Sequence, residues 1–164
     1  MSETISGPDA PRRRVPLLVQ AWLLLIVGTF LQRAVPMTWW GSLLGTPGPV
    51  PDSQPTTLLG SEETNSRHNE LKEAIYRASR ALPWKPSCLA RAFTGQRILL
   101  SWNIPGDVVI GLKPEGNANW PAHAWLISRR ETIIGELEKE GFFPATMFRL
   151  SGHSTVPTAT SAKD

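Results

Sequence analysis

Helical and strand patterns are sorted along this chain, and that sorting narrows the fold more than any other feature. Within residues 65–82, Leu71, Ile75, Ala78 and Leu82 recur at helical spacing on one face, with charges opposite. Trp84-Lys85-Pro86 breaks the pattern. Ser87 then stands where an N-cap belongs, ahead of a second helix from Cys88 to about Trp102. Beyond it the periodicity changes. Asp107–Leu112 reads as a short apolar strand, and Ala122–Ser128 with residues 132–136 as a hairpin around Arg129-Arg130. Helices followed by antiparallel strands, without an internal repeat, predict an α+β domain over residues 65–150.

The flanking segments differ in character. Residues 1–14 are polar, carry Arg12-Arg13-Arg14, and are expected to be disordered, as is the Ser/Thr-rich tail 151–164. Residues 15–44 form a hydrophobic helical segment whose apolar run, 15–31, is interrupted only by Pro16, Gln20, Gly28 and Thr29. Arginines before an apolar run resemble a signal-peptide n-region or a membrane anchor, but the run is short of the roughly 20 residues a span needs, and no small-x-small cleavage site follows. Membrane contact and docking against the domain are weighed equally, with docking plus peripheral membrane contact preferred. Residues 45–64 are rich in Pro, Gly, Ser and Thr and read as a linker.

Charge excludes one class of partner. The net charge is only +3 and Lys and Arg are scattered, whereas a nucleic-acid surface needs a basic stripe. A single cysteine rules out an internal disulfide and a Cys-rich zinc site, so neither metal nor cofactor is expected. A free thiol fits a reducing compartment, which favours the cytoplasm.

That cysteine is also the residue most suited to chemistry. By default a lone cysteine is a small buried hydrophobe. Cys88, however, follows Pro86-Ser87 at the first turn of a helix, where unpaired N–H groups and the helix dipole stabilise an anion. The same groups can hold the oxyanion formed when a thiolate attacks a carbonyl. His123 is the candidate base: alternation places it on one face with Trp125 and Ile127, semi-buried. The other histidines, His68 on the polar face of the first helix and His153 in the tail, read as solvated. An orienting acid for His123 must come from Glu131, Glu136, Glu138 or Glu140. A two-residue turn at Arg129-Arg130 pairs Ser128 with Glu131 and, counting back, His123 with Glu136, whereas a one-residue change in the loop puts Leu137 there. Glu136 is the expected third member on that condition.

The run Pro83-Trp84-Lys85-Pro86-Ser87-Cys88-Leu89-Ala90-Arg91-Ala92, an apolar strand ending Ile110-Gly111, and Ala122-His123-Ala124-Trp125-Leu126 together resemble the transglutaminase-like cysteine peptidases of lasso-peptide biosynthesis. These are leader-removing maturation proteins related to the microcin-processing enzyme. The likeness runs from about Leu82 to Phe148, and residues 37–45 look like the family's lead-in. It implies a papain/transglutaminase-like fold, a nucleophile helix packed on an antiparallel sheet, and a Cys-His-acid triad. Its implied substrate is a ribosomally made precursor peptide. Its implied partners are a separate leader-binding protein and an ATP-dependent cyclase. The resemblance carries the nucleophile to Cys88 and the base to His123. The family's acid is an Asp beyond the histidine, where this chain has Gly135-Glu136. Two other functions fit the same residues: a catalytically silent, membrane-associated protein that holds a peptide, and an acyl transferase of transglutaminase type.

Overall fold

A computed structural model describes residues 16–50, 62–114, 120–129, 131–136 and 140–150. Along the chain come α1 (Leu17–Ala34), the single turn α2 (Met37–Trp40), a 3-10 turn (Gly41–Leu44), β1 (Thr46–Gly48), α3 (Glu62–Ala81) and α4 (Cys88–Ser101). The strands β2 (Asp107–Leu112), β3 (Ala122–Ser128), β4 (Glu131–Ile134) and β5 (Phe143–Arg149) follow. The sheet is antiparallel throughout, in the order β1-β5-β2-β3-β4. The architecture is α+β, as the sorted periodicity predicts.

The helices form a layer on one face of that sheet. From α3 the side chains of Leu71, Ile75 and Ala78 enter the core, the stripe read from the sequence. From α4 come Ala92, Phe93, Ile98 and Leu99, and from the strands Val108, Ala124, Leu126, Ile134 and Phe148. The opposite sheet face carries a second cluster of Val109, Trp125 and Met147, with Phe142 and Ile127 against it. Alternation along β3 thus sends Ala124 and Leu126 to the helices and Trp125 away from them.

Helix α3 begins at Glu62 rather than at residue 65, with Glu62 and Glu63 in a first turn where acids suit the helix dipole. Residues 46–48, inside the expected linker, add an edge strand to β5. A buried amide ties these parts together: Gln96 Nε2 donates to the carbonyls of Leu44 (3.0 Å), Phe148 (3.2 Å) and Gly106 (3.3 Å). Helix α1 docks: Ala21, Leu25, Gly28 and Thr29 are buried, and Gly28 lies against Ala90 and Phe93 of α4. By length and composition α1 is also apolar enough to cross a membrane. Its other side is solvent-facing and apolar, with Leu18, Val19, Trp22, Leu23, Val27 and Phe30 exposed.

Candidate functional site

Local sequence builds the nucleophile end. Pro86 disfavours helix before it, and Ser87, in an extended conformation, caps α4 by accepting from Ala90 N–H at 3.0 Å. The Ser87 carbonyl accepts from Arg91 N–H at 3.1 Å. Those two bonds leave the N–H groups of Cys88 and Leu89 without acceptors inside the helix. Cys88, the first helical residue, is half-buried against the helix-side core. The Ser87 hydroxyl donates in turn to Gln32 Oε1, so α1 braces the start of α4. Sequence reasoning missed Gln32; its only signal is a polar residue closing an apolar run, which does not disclose a partner so distant in the chain.

His123 is the second residue of β3 and is 7% exposed. It stacks on Trp125, with ring centroids 6.1 Å apart and planes at 21°. Phe142 meets it at 5.3 Å and 45°. The indole of Trp125 lies over Gly111, where an added Cβ would come within 2.5 Å of Cη2. His123 therefore shares the sheet face with Trp125, as alternation predicts, and that face is turned away from α4.

Chain topology nevertheless brings Cys88 and His123 to one end of the fold. The short connection 102–106 folds β2 back along α4, and the last residues of β2, Gly111 and Leu112, pair with His123 and Ala122. Gly95 packs on Leu126. From Gly95 back to Cys88 is about 10 Å of helix, and from Leu126 back to His123 about 10 Å of strand. Among the described residues no hydrogen bond joins the thiol to the imidazole. They are close in level but lie on opposite sides of the sheet.

The expected pairing of His123 with Glu136 is corrected by the hairpin. Ser128 does pair with Glu131 and Ile127 with Thr132, but the register then shifts and Leu126 pairs with Ile134. The extra residue is a β-bulge. Counting on, Gly135 comes opposite Trp125, and its hypothetical Cβ would sit 3.0 Å from Trp125 Cβ and 3.2 Å from His123 Nε2. With φ at +85°, the backbone at Gly135 adopts a conformation that favours glycine. Glu136 turns to the other face, where its carboxylate lies 3.6 Å from Lys72 Nζ of α3. Both groups are about half exposed, so the pair contributes little to stability. Of the other acids, Glu140 is exposed and Glu138 lies outside the described residues.

His68 is a second correction. It is 3% exposed rather than solvated, packed between α3 and the start of β4, with Nδ1 3.7 Å from Glu131 Oε2. Burial lowers its pKa from the usual 6.5 even though Glu131 pulls upward, so the imidazole is neutral at pH 7 and the contact is polar rather than ionic. His153 lies outside the described residues. Among the described residues no cluster of His, Cys, Asp and Glu could hold a metal ion.

A family model described as the transglutaminase-like superfamily matches residues 31–147, which include all of α3, α4, β2, β3 and β4. Among curated proteins and among solved structures, nothing matches the chain.

Proposed function

We propose that this chain, which belongs to the transglutaminase-like superfamily, is a cysteine peptidase that removes the leader from a ribosomally made precursor peptide of lasso type. The observation that carries the reading is the placement of its single cysteine, in a superfamily of cysteine peptidases and acyltransferases, at the Ser87-capped start of α4. The Cys88 thiolate attacks the scissile carbonyl, and the N–H groups of Cys88 and Leu89 receive the oxyanion. His123 protonates the leaving amine, and water resolves the acyl-enzyme. Catalytic hydrogen bonds often form only with substrate present, and on this reading His123 leaves its place between Trp125 and Phe142 to meet the thiol when the peptide binds. A separate leader-binding protein and an ATP-dependent cyclase complete the maturation, as the motif resemblance implies. The test is mass spectrometry of a precursor peptide incubated with wild type, Cys88→Ala and His123→Ala. Cleavage by wild type alone supports the reading; cleavage by Cys88→Ala overturns it.

One observation favours a second reading. Gly135 rather than Glu136 lies beside His123, so Glu136 does not supply the acid the resemblance places there, and a protein of the same fold that holds a peptide without cutting it is the alternative. Binding of the precursor without turnover, under conditions where its partners are supplied, would select that alternative. Transfer to an added amine instead of water would select the acyl-transferase reading.

Helix α1 bears on location. Its buried side is committed to α3 and α4, and a membrane span would carry the charged side of α3, with Arg67, Lys72, Glu73 and Arg77, into hydrocarbon. Peripheral contact from the cytoplasm fits better. The exposed face of α1, with Trp22 and Phe30, enters the lipid interface, and Arg33 at the end of the helix meets anionic headgroups.

A further inference from the structure

A cavity of about 650 Å³ opens between the end of α3 and the start of α4, and nothing in the chemistry above uses it. Its walls include Tyr76, Arg80, Trp84, Lys85, Pro86 and Arg91, and among the described residues no carboxylate lines it. Glu63 and Glu73 are engaged by Arg67 and Arg77, each one turn along α3. Among the described residues neither Arg80 nor Lys85 has an ion-pair partner. Arg91 extends its guanidinium over the Tyr76 ring, 5.8 Å from the centroid, which fixes one positive charge at the rim. The volume lies within the range of about 300–1,000 Å³ common to ligand sites.

Position ties this cavity to the nucleophile. Pro86 precedes Cys88 by one capping residue, and Arg91 follows it on a neighbouring face of the same helical turn. A chain whose carbonyl lies at the thiol must pass the mouth of the cavity or run away from it. We propose that this cavity is a substrate subsite that receives an acidic segment of the peptide beside the bond to be cut. Asp or Glu carboxylates meet Arg80 and Lys85, while Tyr76 and Trp84 take the apolar part of the segment. The inference rests on the peptidase reading for the identity of its occupant, but not on turnover for its test. An acidic peptide suits the site better than a nucleic acid because Arg80 and Lys85 flank one cavity and do not extend along a stripe.

The test uses the full chain carrying Cys88→Ala and two fluorescein-labelled synthetic peptides, matched except that one has Glu and Asp where the other has Gln and Asn. Anisotropy should show the acidic peptide binding about tenfold tighter at low salt, about 1.4 kcal/mol. The double variant Arg80→Glu, Lys85→Glu should remove the preference, as should raising the salt. Both positions are exposed, and circular dichroism checks that the fold survives. Equal affinity for the two peptides, or an acidic preference that survives the charge reversal, overturns the subsite. So does displacement of the acidic peptide by a single-stranded oligonucleotide at lower concentration than by unlabelled acidic peptide. Failure of the peptidase reading shows separately, as absent cleavage by wild type with the acidic preference intact.

Discussion

The start of α4 and the β3–β4 hairpin each supply part of the proposed site, and they differ in how far apart their determinants lie. At α4, Pro86, Ser87 and Cys88 are consecutive, and the two bonds by which Ser87 caps the helix reach no farther than Arg91, with Gln32 of α1 a brace from outside. At the hairpin, the neighbour of His123 depends on the register of two strands, and one bulged residue changes it. Short-range chemistry survives small errors in reading a sequence, whereas strand register does not, because a one-residue slip sends every later side chain to the other face.

The sharpest way to break the comparison is to remove each reactive group. Cys88→Ala should abolish turnover, and His123→Ala should lower it by about a thousandfold or more. Cys88 is half-buried and should fold normally as alanine, whereas His123 is packed between Trp125 and Phe142 and should lose some stability as well. Turnover by mass spectrometry and melting by circular dichroism separate the two effects. If His123→Ala keeps its activity, the sheet contributes no base and the site is confined to α4.

Helix α1 offers the next largest effect. Leu25 is fully buried, and Leu25→Ala should cost about 2–5 kcal/mol by denaturant titration. Deleting residues 1–35 should be worse, giving insoluble protein, because it also removes Gln32 from the Ser87 hydroxyl. The paired substitution Leu23→Gln, Val27→Gln on the exposed face should leave the fold intact and abolish sedimentation with anionic phosphatidylserine vesicles. A soluble, fully active truncation would show that the start of α4 needs no brace, contrary to the docking seen here.

What could be read in advance follows the same division. The α3 stripe, the Ser87 cap and the bounds of β2 and β3 come from patterns within a few residues of each other, and the structure has them where those patterns put them. The pairing of residues 46–48 with β5 could not be read, because Pro47 and Gly48 disfavour strand and leave Thr46 alone to suggest it, so the edge is held by its neighbour. His68 misleads for a different reason: standing three residues before Leu71 and seven before Ile75 it shares the face of the buried stripe, and only its polarity points to solvent. The roles of Cys88 and His123 rest on residue type and position, which sequence supplies, while their mutual geometry is a matter of how α4 lies on the sheet.

The buried His68 predicts a smaller effect, in pH. Its folded pKa is lowered by burial, so the unfolded chain binds a proton more readily than the folded one. Stability then rises with pH through this window and falls as pH drops below about 6.5. Melting temperature should decline between pH 7.5 and pH 5.5, and His68→Gln should flatten that decline. Glu131 opposes the shift and Arg129 adds to it, so Glu131→Gln should steepen the loss. An unchanged pH profile in His68→Gln would mean that the imidazole is solvated in solution, and the packing of α3 on β4 would need revision.

The smallest expected effect is at Glu136. If the bulge in β4 governs, its carboxylate serves only the half-exposed pair with Lys72, and Glu136→Gln should change stability by less than about 1 kcal/mol. Turnover should stay within about twofold of wild type, since the substitution keeps the shape of a side chain that faces α3 rather than His123. Lys72→Gln is the matching control and should behave the same way. The result that breaks the comparison is a large fall in turnover for Glu136→Gln with melting unchanged and Lys72→Gln unaffected. That combination would require the carboxylate to leave Lys72 and reach the imidazole when substrate binds, so that the hairpin slips into the bulge-free register during catalysis. The pH profile would then distinguish an orienting role from a packing one. Losing an acid that stabilises the protonated imidazole shifts the limb of the profile that His123 controls, whereas losing a surface ion pair moves neither limb.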